Sequence, residues 1–149
     1  MNDFLESRLY KNENLERFIS AQDYNNMFDI ALHEIQTGHK MGHWIWYIFP
    51  QLKGLGQSTA SHYYGLDDKE EALAYLHDRQ LGYRLRVITN ALLSHKSMDI
   101  VSIMGSKIDA IKLRSCMTLF DALSPKDVFG QALEAFFKGE RDKLTIDKL

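Results

Sequence analysis

The sequence is short of the features that define several large classes of protein. It holds one cysteine, Cys116, so an internal disulfide is impossible and a reducing, cytoplasmic setting is expected. Its only prolines are Pro50 and Pro125, which leaves long stretches free to be helical. The longest wholly apolar run is the hexapeptide from Trp44 to Phe49. A bilayer-spanning helix needs about 20 apolar residues, so no membrane span is expected. The opening stretch MNDFLESRLYKNENLERF is charged throughout and lacks the apolar centre of a secretory signal. A net charge of -2 carries no general footprint for nucleic acid, which is not an expected partner.

What is present describes an ordinary globule. The chain has 149 residues, 45% apolar and 26% charged, without repeats or a linker, so residues 1–149 are expected to form one domain. Charge is unevenly spread. Met1 to Ile35 holds seven acids and three bases, whereas Arg79 to Ser115 holds seven bases and two acids. Such charges ordinarily face water and pair across a fold; the sharper reading is a local anion site on the basic part.

Helical signals dominate. Asp23 is placed to cap a segment with Tyr24, Met27, Phe28, Ala31, Leu32 and Ile35 at helical spacing, stopped by Gly38. Asp67 precedes DKEEALAYL, with Glu70 at the capping-box position. From Gly82 a stripe of Leu85, Ile88 and Leu92 follows. Ser97 and Ser106 are candidate caps. Ser124-Pro125 reads as a cap with proline at the first helical position, opening a helix that Gly139 ends. A short helix is expected over Lys143 to Lys148. The hexapeptide could be a buried strand or a buried helix by periodicity alone. A strand needs backbone partners, and no second segment has strand character. A short, fully buried helix is therefore expected at the middle of the molecule, ended by Pro50. The fold class is all-α: a single domain of about seven or eight short helices around a central aromatic-rich helix.

Chemistry-bearing residues fall in three places. In KIDAIKLRSCMTLFDAL, Lys107 to Leu123, one apolar face carries Ile108, Ile111, Leu119 and Leu123, and another carries Leu113, Met117 and Phe120. Lys112 projects within the first face, beside Ser115. A buried ammonium must snorkel, pair or meet a ligand. The turn GLGQSTAS places Gly54 and Gly56 ahead of Ser58, a candidate helix cap whose neighbouring N–H groups suit an anion. It is no dinucleotide fingerprint, because no strand precedes it. His43 opens the aromatic block after Gly42 and is the first candidate for proton transfer. No metal site is expected. His33, His39 and His43 lack a fourth ligand, and no glutamate completes an HExxH pattern. Cys116 reads as a small buried hydrophobe.

Together LERFISAQ, HWIWYIFPQLKGLGQS, EALAYLHDRQLGYRLR and KLRSCMTLF closely resemble the bacterial domain-of-unknown-function family eighteen-ten, over about Leu15 to Leu149. The label calpastatin-like, attached to some of its members, has no support in these residues. The resemblance implies a compact all-helical fold in the bacterial cytosol and no particular reaction. It also implies a serine where this chain has Cys116, which counts against a thiol nucleophile, and it leaves the local turn at Asp78 and Arg79 open.

The functional expectation is a small-molecule-binding domain, extending to an enzyme that acts on an anionic or nucleotide-like metabolite. No cofactor is implied. Trp44 and Trp46 would wall the site, Lys112 and Arg114 would supply counter-charge, and Gln51 and Ser115 would orient the ligand beside Gly54, Gly56 and Ser58. Helical geometry separates Arg114 from Lys112, so one of the two is expected to be structural. The alternative is a non-enzymatic helical module that docks a protein partner through an exposed apolar patch.

Overall fold

Ser106 opens the longest helix by accepting the Asp109 N–H on its hydroxyl at 3.1 Å. The helix that follows, α8 (Lys107–Leu123), has every residue from Ser115 to Phe120 buried. A helix buried on all sides must be surrounded, and the neighbours of α8 are α3, α5, α7, α9 and α10. The computed structural model describes residues 14–149. Before α8 come α1 (residues 14–23), a single 3-10 turn at Tyr24–Asn26, α2 (Met27–Gln36), α3 (Ile45–Ile48), α4 (Thr59–Tyr64), α5 (Lys69–His77), α6 (Arg79–Leu93) and α7 (Ile100–Met104). After it come α9 (Val128–Phe137) and α10 (Lys143–Lys148). Among the described residues there is no strand, only an isolated parallel bridge between Leu52 and Leu66.

A relay of rings threads the core. Phe18 meets Tyr75 edge-on at 5.0 Å, Tyr75 meets Phe120 at 5.7 Å, and Phe120 meets Phe129 at 5.7 Å. Four helices, α1, α5, α8 and α9, are thereby joined by contacts within the range favoured for aromatic pairs. The buried Tyr75 hydroxyl is satisfied by the Gln22 amide at 3.1 Å, and the same amide nitrogen donates to the Tyr47 carbonyl at 2.8 Å. A second helix, α6, packs on α2, α5 and α9 and completes the shell.

The apolar hexapeptide is helical, as its lack of a strand partner requires. The helix is a single turn, Ile45–Ile48, and Phe49 leaves helical geometry ahead of Pro50. Two expectations for it need correction. The axis of the molecule is α8, against which α3 packs. Nor is the hexapeptide wholly buried: Trp44, Ile45, Ile48 and Phe49 are, while Trp46 and Tyr47 are half-buried. One turn presents its successive residues to different sides, and only one side faces the core.

Four expected caps are also displaced. Asp23 lies in helical geometry at the end of α1, and its carboxylate meets Arg84 at 2.8 Å instead of capping a helix. Asp68, not Asp67, caps α5 by accepting the Glu71 N–H at 2.8 Å. Asp99 caps α7 in place of Ser97, and Asp127 caps α9 in place of Ser124. Ser124 donates its hydroxyl to Asp127 at 2.8 Å. In the last three cases an aspartate nearer the helix has the shorter reach to the free N–H groups. Asp78 serves two helices: it ends α5, and its carboxylate accepts from the N–H of Gln80 and Leu81 to start α6. That abrupt junction explains Gly82. A Cβ there would lie 2.0 Å from the Leu76 carbonyl oxygen, where backbone cannot give way.

Trp44 is fully buried, and its indole N–H donates to Glu34 Oε1 at 2.9 Å. The same oxygen accepts the N–H groups of Met41 and Gly42 at 2.8 and 3.0 Å. Burial of the Glu34 carboxyl works to raise its pKa, but these three hydrogen bonds and the charge of Lys40 outweigh it, and the net direction is downward. Lys40, itself buried, pairs with Asp109 at 2.7 Å and lies 4.9 Å from the centre of the Trp44 ring. The turn before α3 is thus tied to α2 and to the first turn of α8.

Trp44→Ala removes a filled core position and is expected to cost about 3–5 kcal/mol in urea unfolding; a loss under about 1 kcal/mol would contradict the burial of this ring. Because the folded pKa of Glu34 lies below its unfolded value, the carboxylate's contribution is whole above that value and shrinks as pH falls through the folded one. The gap in urea midpoint between wild type and Glu34→Gln should therefore hold steady above about pH 5.5 and close below about pH 4.3. A gap that stays constant down to about pH 3 would show that the charge contributes nothing.

Candidate functional site

The segment after α3 is pinned rather than loose. Leu66 donates its N–H to the Gln51 carbonyl at 2.9 Å, and Lys53 donates to the Leu66 carbonyl at 2.8 Å. Gln51 and Leu52 are buried as a result. Beyond them the chain turns through Gly54, which holds a left-handed φ of 94°. It then passes so close to α4 that a Cβ on Gly56 would sit 2.9 Å from the Ser61 side chain. The two glycines of this turn thus have structural reasons to be there.

This turn, the first half of α8 and the start of α10 enclose an open recess of about 420 Å³. Gln51, Leu55, Gly56 and Gln57 form one side, Ile108, Ile111, Lys112 and Ser115 form the α8 side, and Asp142 and Leu144 close the end. A volume of that order suits a small molecule. Much of the wall is apolar: Ile108 is 65% exposed, Ile111 47% and Leu144 64%. Ile108 and Ile111, expected to belong to a core face of α8, instead line the recess, because no element covers the first two turns of that face as it does the later ones.

Lys112 is the cation of the recess. Its ammonium lies 4.7 Å from the centre of the Trp46 ring, within cation–π range. Its nearest acid, Asp109, is 3.9 Å away and already holds Lys40 at 2.7 Å. The charge of Lys112 is thus oriented by an indole face and only loosely paired. Trp46 supports it from below, and its indole nitrogen is buried without a hydrogen-bond partner.

Asp142 is the anion of the recess, and it is heavily engaged. Its Oδ2 accepts the Ser115 hydroxyl at 3.2 Å, the Thr145 N–H at 3.1 Å and the Thr145 hydroxyl. Its backbone N–H donates to Thr118 Oγ1 at 2.9 Å. Arg114 approaches its Oδ1 at 3.9 Å and Glu140 at 3.8 Å. These contacts consume the carboxylate, so Lys112 carries the charge available to a ligand. Arg114, whose ion contacts are comparable in length to that of Lys112, lies outside the recess lining.

The structure therefore gathers Gln51, Gly56, Lys112 and Ser115 around one recess, while Trp46 lies against Lys112 and outside the lining. Trp44 is not a wall of it but core, held by Glu34. Gly54, Ser58 and Arg114 are not among its lining residues. Ser58 caps α4 by accepting the Ser61 N–H at 3.1 Å, which occupies the group proposed to suit an anion. His43 is exposed and outside the recess lining. Asp142 and Leu144 were missed by sequence reading. The pattern Asp-x-x-Thr ahead of α10 was the available sign, since it is a side-chain cap in sequence form.

Cys116 is wholly buried, and desolvation pushes its thiol pKa well up, away from the reactive thiolate. Ser115 donates to Asp142 and to the Ile111 carbonyl, with no imidazole in that network. Among the described residues no group of three or more His, Cys, Asp or Glu is placed to hold a metal ion. Nor is any helix among them long and apolar enough to cross a membrane.

These features define an all-helical protein of a class known by its fold and motifs rather than by a reaction. The chain belongs to the family described as Protein of unknown function (DUF1810), whose family model matches residues 12–149. It is similar to the conserved hypothetical protein Rv1873 from Mycobacterium tuberculosis, known from a crystal structure. The two share 36% identity and a TM-score of 0.86, over 91% of this chain and 96% of that one. No curated protein matches the sequence.

Asp142→Ala removes the cap of α10 and leaves Ser115 short of an acceptor. It is expected to cost about 1–3 kcal/mol and to speed hydrogen exchange at Thr145 and Ile146 selectively. Unchanged exchange at those amides would mean that α10 is held by other contacts.

Proposed function

We propose that the recess between the Gly54–Gly56 turn, α8 and α10 binds a small anionic metabolite that has an apolar portion. Lys112 supplies the counter-charge, Gln51 and Ser115 orient the polar end, and Ile108, Ile111 and Leu144 receive the apolar end. The observation that carries this reading is the placement of Lys112. Its ammonium lies 4.7 Å from the centre of the Trp46 ring, Lys112 lines the recess, and its nearest carboxylate is committed to another lysine. A lysine that merely snorkels needs no such platform. Apolar walls with a few converging polar groups are the ordinary make-up of a metabolite pocket.

A second reading draws on the exposure of Ile108, Ile111 and Leu144. Three large apolar side chains sharing one face suit the docking of a protein partner. The polar floor formed by Gln51, Lys112 and Ser115 favours the small molecule, because a flat docking face has no need of it.

A thermal-shift screen with organic acids, sugar phosphates and nucleotides separates the two. A ligand at about 100 times its dissociation constant adds about 2.7 kcal/mol of stability. Lys112→Met keeps the apolar stem, so its melting temperature is expected to match or exceed that of wild type while the ligand-induced shift disappears. If no anion in the library stabilises the wild type, the metabolite reading fails. If one does and Lys112→Met responds equally, the lysine has no part in it.

A further inference from the structure

A second cleft, of about 580 Å³, lies on another part of the surface. It is built from side chains of α1, the 3-10 turn, α3 and α4, and four of the chain's seven tyrosines line it: Tyr24, Tyr47, Tyr63 and Tyr64. They come from three separate stretches of sequence, Tyr63 and Tyr64 being adjacent. Tyr64 is the hub. Its ring packs against Tyr63 at 4.7 Å, edge to face, and against Tyr47 at 5.2 Å. Tyr24 and Tyr63 are 71% and 58% exposed, so large aromatic surface is left facing water.

The charges of the cleft are unequal in freedom. Arg17 lines it but is spent: its Nε donates to the Tyr63 carbonyl at 2.8 Å, and its Nη2 donates to the Gly65 carbonyl at 3.0 Å and to Glu71 Oε1 at 2.8 Å. Glu71 is completely buried and offsets the charge of Arg17, although that charge still acts on Tyr64. Glu16 is exposed, and its one partner among the described residues is the Ser20 hydroxyl at 3.3 Å. Glu16 is therefore the charge of the cleft without an ion partner among the described residues, and it lines the cleft with four rings whose faces are negative at their centres. Burial raises the pKa of Tyr47 and Tyr64, so these phenols stay neutral and uncharged rings form the floor.

Ring faces with a single carboxylate suit one ligand chemistry above others. A bare ammonium is strongly hydrated and demands several acceptors. A methylated ammonium is large, weakly hydrated and donates few or no hydrogen bonds, so ring faces satisfy it. We propose that the tyrosine cleft binds a methylated ammonium group, with the rings of Tyr24, Tyr47, Tyr63 and Tyr64 as its wall and Glu16 as its counter-charge. Two sources share this chemistry: a free quaternary amine, and the methylated lysine side chain of a peptide.

The test is a calorimetric titration of the full chain with choline, with its uncharged tert-butyl analogue, and with a peptide carrying trimethyl-lysine. Choline or the peptide is expected to bind, and the uncharged analogue is not. Tyr24→Ala and Tyr63→Ala should each weaken binding roughly 2- to 30-fold, and Glu16→Gln should weaken it as well. All three side chains are exposed, so the variants should melt with the wild type, which a thermal scan verifies. Tighter binding of the peptide than of choline assigns the cleft to a protein partner; the reverse order assigns it to a small amine. The proposal is overturned if neither cation binds at millimolar concentration. It is also overturned if the uncharged analogue binds as well as choline, or if all three variants bind unchanged.

Discussion

The fold depends on enclosing α8. From Ser115 to Phe120 this helix has no face to spare for water, so five other helices must lie against it. That demand places the aromatic relay from Phe18 to Phe129 across it. It also forces the polar groups on the enclosed stretch to find partners inside. Ser115 and Thr118 meet this requirement through Asp142, whose N–H and carboxylate lie between them. One turn earlier, at Ile108 and Ile111, the enclosure stops. A helix that passes from covered to open within one turn leaves apolar surface at the boundary, and this is where the recess lies.

Much of this was legible in the sequence because it rests on local physics. The all-helical class follows from periodic apolar spacing and from the lack of any partner for a strand. Ser106 as the start of α8 follows from capping chemistry, and the helical turn at Ile45–Ile48 from the lack of a strand partner; the last helix, Lys143–Lys148, was expected without its Asp142 cap. The displaced caps show the limit of that reasoning. Asp67 and Asp68 are equally good caps on paper, and a single residue decides which free N–H group each can reach. The two tryptophans show a different limit. Trp44 and Trp46 stand two positions apart in the same apolar block, yet one is core and the other underlies Lys112. What separates them is Glu34, ten residues before Trp44, whose carboxylate claims one indole N–H and leaves the other without a partner. Such a long-range choice has no signature in composition or spacing. Ile108 and Ile111 failed for the same reason: an apolar face predicts burial but does not name the element that covers it.

The two clefts differ in chemical character. One sets an incompletely paired ammonium on an indole beside aliphatic walls, and the other places a carboxylate without an ion partner among phenols packed edge to face. The uneven charge along the chain is reflected in this division. Glu16 belongs to the acidic first part and Lys112 to the basic stretch, while most of the remaining charge is cancelled by pairs such as Arg84 with Asp23 and Arg86 with Asp127. Membership of a family of unknown function makes these two charges useful starting points for biochemistry.

The attachment of α10 has a further consequence. This helix is six residues long, rests chiefly on α8, and is anchored at its start by the hydrogen bonds of Asp142. Leu144, which borders the recess, sits two residues beyond that anchor. The end wall of the recess therefore depends on one polar anchor: Asp142 and Thr145, both buried, fix where the short helix starts and so where Leu144 stands.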